Sequence, residues 1–291
     1  MNDWSVLVGI AFLGVAYGMV LYLISVGLSV TMGLMGFVNL AHGVFAMAGG
    51  YVTVTLMNRY GVPYFASLAA AAIVVAALGF VLERTLYRRL YGTSDFDQVL
   101  FSIGLIYVSI AVVQHFWGPL TQPMRAPAYL KGIITLGGFE FPTYRVFLIG
   151  FSIVVIAALW LTLERSRFGA QIRAAVDNRR MAQSLGVNTG RLFAQTFALG
   201  SGLAGLGGGL GADILVTSPG YPLQYILYFM IVVILGGLGT IRGPFLAALL
   251  LGIADTACRY FWPQMGAVFI FILVFFILFF RPQGLMRRAR A

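Results

Sequence analysis

The stretch "ALGSGLAGLGGGLGADILV" at positions 198–216 decides the fold. Gly200, Gly202 and Gly205 spell GxGxxG, the spacing that lets a Rossmann turn approach a pyrophosphate. That motif works only after a buried strand and before a soluble helix, with an acidic residue about 20 positions further on. Here "RLFAQTFAL" precedes Gly200, "ADILV" follows Gly211, and both flanks belong to a segment of membrane-spanning length. The nucleotide-loop reading fails on its context. Gly205 and Gly209, like Gly207 and Gly211, are four apart instead, the small-xxx-small spacing that brings helix backbones together in lipid. Seven glycines between 200 and 211 exceed what one helix contact requires. Each weakens a helix by ~1 kcal/mol relative to alanine, so the run suits a segment that is tightly buried, partly unwound or moving.

The rest of the chain has the composition of a protein dissolved largely in hydrocarbon. Of 291 residues 60% are apolar and 10% charged, and the mean hydropathy is +0.92, far from the quarter-charged soluble average. The net charge of +10 comes from 18 arginines and one lysine placed between apolar runs. Nucleic-acid binders carry dense basic faces interleaved with polar residues, so no nucleic-acid partner is expected; the placement matches an orientation signal. The single Cys258 has no partner for a disulfide. "MNDW" lacks the basic start of a secretory signal, so the first apolar run is expected to be a retained helix.

Residues 4–58 are free of charge and long enough for two helices, with a break expected in "GLMGFVNLAHG" at 33–43. Further spans are expected over 60–82, 98–124, 146–163, 192–212, 214–241 and 260–280; the shorter 243–254 spans only with Asp255 and Arg259 at its outer edge. Placing 83–97, 164–191, 239–243 and the tail after Phe280 inside puts 14 of the 19 bases in the cytoplasm. The expected fold is an all-α polytopic transmembrane bundle of about eight to ten spans, N-terminus outside and C-terminus cytoplasmic. It forms one transmembrane domain over 1–291, with a cytoplasmic loop at 164–191.

Three stretches together carry a resemblance: "SVTMGLMGFVNLAHGVFAMAGGYV", "RFGAQIRAAVDNRRMAQSLGVN", and "VVILGGLGTIRGPFLAALLLG" followed by "FFRPQGL". They resemble the permeases of bacterial ATP-driven importers for branched-chain amino acids, and the Asn39-Leu-Ala-His-Gly run resembles the first of the two paired subunits. Urea and short-amide permeases look similar. The resemblance implies a second homologous permease, two cytoplasmic ATPases, a periplasmic or lipid-anchored substrate-binding protein, no cofactor, and residence among the lipids of the bacterial inner membrane. The chain has no GxxxxGK[ST] loop, so it does not itself supply that ATP chemistry.

Candidate sites follow. In 164–191, Ile172 with Val176 and Met181 with Leu185 are four apart, and Gly186 offers a stop, which predicts a short amphipathic helix. Such a helix either docks on a partner or is a basic surface helix that fixes topology. The resemblance implies a coupling helix docked on the ATPase, matching Gly169, Arg173, Ala174, Ala182 and Gly186 around Ile172. Asn39 and His42 line a path or gate, or else form a turn capped by Asn39. Gln195, Thr196 and Ser201 are candidate path residues, or satisfy carbonyls of their own helix. Asp255 and Arg259, four apart, form a structural ion pair, with substrate contact the alternative reading. Asp213 is expected to face an outer vestibule, and 118–143 to receive the binding protein. The Gly33-Leu-Met-Gly run is echoed by Gly236-Gly-Leu-Gly, a faint internal repeat. A stand-alone ion-coupled carrier would need an intramembrane carboxylate; Asp255 is the only candidate, and Arg259 sits beside it.

Overall fold

Hydrocarbon offers no water to the backbone, so a chain of this composition must close its hydrogen bonds within helices. The structure, a computed structural model, describes residues 3–281. The basic tail "RRARA", whose charge predicts contact with anionic lipid headgroups as an orientation anchor, and the end of "FFRPQGL" lie outside them. The helices in chain order are α1 (Asp3–Met35), α2 (His42–Tyr60), α3 (Tyr64–Thr85), α4 (Asp95–Trp117), α5 (Thr143–Arg165), α6 (Arg167–Asp177), α7 (Arg179–Ser184), α8 (Thr189–Leu210), α9 (Tyr221–Gly236), α10 (Arg242–Phe261) and α11 (Gly266–Phe280). Helices α1, α3, α4, α5 and α10 are long and apolar enough to cross a membrane by length and composition, and α9 and α11 are shorter apolar helices.

The less apolar α2 and α8 explain the architecture. A helix needs an apolar surface only where it meets lipid, and α8 meets little of it: 15 of its 22 residues are buried. By contrast α4 buries four of 23, Gln98, Ser102, Ile106 and Val113, spaced so that they share one face. Helix α8 is therefore the axis, wrapped by α1, α2 and α3. Its glycines allow the approach: a Cβ on Gly27 of α1 would collide with the Gly200 backbone, one on Gly49 of α2 with Gly205, and one on Gly208 with Ala46 of α2. The GxGxxG run is thus a packing seam. It is regular helix throughout, not unwound, and turns only after Leu210.

Two features depart from the expected pattern. A two-stranded antiparallel hairpin, β1 (Ile133–Leu136) with β2 (Phe139–Pro142), interrupts an otherwise all-α chain. Its turn residues Gly137 and Gly138 both have positive φ, 59° and 84°, which a two-residue hairpin turn needs and glycine supplies without strain. The 164–191 loop holds two short helices rather than one. Asn178 breaks the run in an extended conformation (φ −151°, ψ 97°), and its Oδ1 accepts the Met181 N–H as the N-cap of α7.

At the end of the bundle that carries the hairpin, the hydroxyl of Tyr144 donates to the Leu210 carbonyl at 2.7 Å and lies 2.8 Å from the Tyr64 hydroxyl. This ties α5 and α3 to the last turn of α8, where a carbonyl has no partner within the helix. Tyr144→Phe leaves both the Leu210 carbonyl and the Tyr64 hydroxyl short of a partner. It should cost about 1–3 kcal/mol and lower the apparent melting temperature of the purified protein more than Tyr64→Phe does. Equal shifts for the two variants would contradict this assignment.

Candidate translocation path and coupling site

The break expected in 33–43 is real. Helix α1 stops at Met35, Gly36 turns the chain with φ 62°, and α2 starts at His42. The Nε2 of His42 lies 3.0 Å from the Ile24 carbonyl, roughly 16 Å back along α1 from Met35 at 1.5 Å per residue. Residues 36–41 therefore re-enter the bundle. Irregular backbone at such depth needs internal partners, and it has them. The Gly36 N–H donates to Met32 O, the Val38 N–H to Gln98 Oε1 at 3.0 Å, and the Ala41 N–H to Asn39 Oδ1 at 3.1 Å. The Ser102 hydroxyl donates to the Val38 carbonyl at 3.4 Å. The one polar pair on the buried face of α4 is thus spent on this loop.

Asn39 and His42 are both 2% exposed. Asn39 has the geometry of a turn cap, and its Oδ1 also accepts the Tyr87 hydroxyl at 3.1 Å, while its Nδ2 finds no partner. The echo near Gly236 lies against the first break. A Cβ on Gly33 would overlap Gly239, the Gly239 N–H donates to Ser29 O, and the Ser29 hydroxyl donates to Thr240 O at 3.0 Å. On α8, Thr196 donates to Leu192 O and Ser201 to Phe197 O, both at 2.8 Å and both within their own helix. Gln195 is exposed and borders a cavity of about 380 Å³ with Gln171, Asn188 and Arg191.

The segment 167–186 is locked to α5 and α8. Gly169 lies so close to Leu163 that a Cβ would strike its carbonyl, and Ile172 and Ala182 are buried. Arg173 donates to the Leu163 carbonyl and, at 3.4 Å, to that of Glu164, so it caps the end of α5. Ala174 is exposed, and Gly186 ends the segment with φ 86°. Met181 and Leu185, expected on the apolar face of one amphipathic helix with Ile172 and Val176, are 58% and 76% exposed. The physical reason is the break at Asn178, which restarts the helix on a new face.

One buried connection was missed in the sequence. The Arg179 guanidinium stacks over Phe193 at 4.7 Å, and Phe193 meets Tyr91 edge-on at 5.5 Å. The Tyr91 hydroxyl donates to Glu83 Oε1 at 2.9 Å, and Glu83 is 0% exposed. The sequence places Glu83 at the edge of a charged loop, with no sign of its burial.

At the hairpin end, Asp255 Oδ2 accepts from Arg259 Nε at 2.7 Å, the ion pair expected from the spacing. Arg259 also reaches the Tyr228 hydroxyl at 3.3 Å, and Asp213 pairs with Arg145 at 3.2 Å. A cavity of about 540 Å³ lies among these groups.

The re-entrant loop gives a direct test. Gln98→Leu keeps the volume but leaves the Val38 N–H unpaired in a dry site, which should cost about 1–3 kcal/mol. Ile103→Ala, on the exposed side of α4, should change the apparent melting temperature far less.

Comparison with known proteins gives the family. The profile of the family described as "Branched-chain amino acid transport system / permease component" matches residues 10–278. The chain is 30% identical to the high-affinity branched-chain amino acid transport system permease protein BraD of Pseudomonas aeruginosa, over 94% of each chain. It is 27% identical to LivH of Escherichia coli K12, another permease of that description, over 95% of this chain and 94% of that one. Escherichia coli LivM is 24% identical over 94% of this chain and 69% of its own length. No solved structure matches. With its apolar helices, the chain is a multi-pass inner-membrane protein that belongs to the branched-chain amino acid transport permease family.

Proposed function

We propose that this permease forms half of a transmembrane pair that imports branched-chain amino acids, with ATP hydrolysed by two partner subunits on the cytoplasmic side. The second half is a homologous permease, and a periplasmic or lipid-anchored binding protein delivers substrate to the hairpin end. The relatives named BraD, LivH and LivM support the substrate class and a two-permease unit. The bias of arginine toward one end supports that end as the cytoplasmic one.

The observation that carries the coupling reading is the surface of α7. Met181 and Leu185 are exposed apolar side chains on a short, rigid element rich in arginine. Apolar anchors with a charged rim are what a docked helix presents to a groove. The same element is wired inward through Arg179, Phe193 and Tyr91 to Glu83 on α3, and through Arg173 to the end of α5. Closure of the ATPases on α6 and α7 then moves α5 and α8 together, and the close-packed α8 carries the displacement to the opposite end. Gly169, Ile172 and Ala182 serve this by locking the lever, while Ala174, Met181 and Leu185 meet the partner.

The test separates docking from folding. Arg173→Glu would also strip the cap from α5, so it cannot distinguish the two. Met181→Asp combined with Leu185→Asp leaves the buried contacts intact. It should weaken copurification of the ATPase and leucine uptake by at least about tenfold, with the melting temperature of the permease unchanged. Full ATPase retention would put the docking surface elsewhere. Leucine uptake by the permease without an ATPase, driven by an ion gradient, would instead establish a secondary carrier, and uptake restricted to urea or short amides would reassign the substrate.

A further inference from the structure

We infer that the cavity at the hairpin end is a binding site for a free amino acid zwitterion with an aliphatic side chain. The inference rests on the importer reading and adds where this chain itself holds the substrate. The cavity, about 540 Å³, lies between α1, the start of α5, the turn after α8, α9 and α10. That volume suits a small-molecule site.

Its central group is Asp255. This residue is 1% exposed, its Oδ2 is taken by Arg259, and its Oδ1 has no hydrogen-bond partner. A helical ion pair needed only to cancel charge would sit at a lipid or protein face. This one lines an open volume with half of its carboxylate unsatisfied, a state that a cationic donor entering the cavity relieves. An α-ammonium supplies three donors for that oxygen. The aromatic rings of Tyr17 and Tyr228 line the same wall and favour a cation over their faces.

The opposite charge of the ligand has partners too. Arg259 gives Nε to Asp255 and one Nη to the Tyr228 hydroxyl, which leaves further donors of its five for a carboxylate. Arg145, fixed by Asp213 at 3.2 Å, brings a second guanidinium to the cavity. Leu13 and Leu215 add apolar wall. A cation acceptor, an anion donor and an apolar surface in one cavity are the three requirements of an aliphatic amino acid. A bare metal or sodium ion would use only the first.

The experiment uses the assembled importer in nanodiscs without its binding protein. Equilibrium binding is measured for L-leucine, 4-methylpentanoate, which lacks the ammonium, and 3-methylbutylamine, which lacks the carboxylate. Leucine should bind at least about tenfold more tightly than either analogue. Asp255→Asn should remove the preference for leucine over 4-methylpentanoate, and Tyr228→Leu, which removes an aromatic face from the wall, should weaken leucine binding. Reconstituted in sealed proteoliposomes with the binding protein, the swap Asp255→Arg with Arg259→Asp keeps an ion pair but moves the charges, and uptake should fall at least about tenfold. Wild-type uptake in the swapped complex, or equal binding of leucine and 3-methylbutylamine to the unmodified complex, overturns the proposal. The analogue comparison needs no variant, so it decides the matter even if the swap fails to assemble. A wild-type complex that transports no branched-chain amino acid refutes the importer reading itself, a result distinct from active transport that ignores Asp255.

Discussion

Everything in this bundle follows from one constraint: within hydrocarbon, helices are not driven together by water, so they associate only where backbones can come close and where every polar group is answered from inside. Helix α8 meets the first demand with glycine. Gly200, Gly205 and Gly208 bring α1 and α2 to backbone contact, and 15 of its 22 residues are buried as a result. The re-entrant 36–41 loop meets the second, with Gln98, Ser102 and Asn39 supplying the donors and acceptors that a helix would have provided. On α4, Gln98 and Ser102 turn inward beside Ile106 and Val113, while most of its apolar residues face outward.

The same constraint shapes how movement is passed on. Close-packed glycine seams have few adjustable side chains, so α8 is suited to shift as a rod rather than deform. Helix α7 meets that rod at its arginine-rich end, where Arg179 stacks on Phe193, and Tyr144 holds its other end at Leu210. The two breaks, where Gly33 and Gly239 touch and loop backbone replaces helix, lie toward the arginine-rich end, beside Tyr91 and Phe193. In the proposed mechanism, such breaks are where packed helices would rock against one another.

Much of this was legible in the residues. Context rejected the nucleotide reading of GxGxxG, and the glycines, Asn39 and His42 located the first break to within a few positions. The spacing of Asp255 and Arg259 gave the ion pair seen at 2.7 Å. Other features stayed hidden for identifiable reasons. The hairpin did carry a signal, the Gly137-Gly138 turn between short alternating strands, but four-residue strands are weak against long apolar helices. The orientation of Met181 and Leu185 depended on a break at Asn178 that periodicity alone does not reveal. The burial of Glu83, and the inward donors of Gln98 and Ser102, depend on which neighbours a helix face meets. A single sequence does not carry that information.

The central claim, that the α8 glycines are a backbone-contact seam, has a test in sign as well as size. Alanine is a better helix former than glycine by ~1 kcal/mol. At Gly104 on α4 and Gly150 on α5, where a Cβ would meet nothing within 4 Å, Gly→Ala should therefore leave the protein as stable or more so. At Gly200 and Gly208 an added Cβ meets the backbones of Gly27 and Ala46, and at Gly205 the branched Val75 side chain of α3, so the same change should lower the melting temperature of the purified permease. Equal stabilisation at all five positions would show that α8 has room to spare, and the account would not survive it.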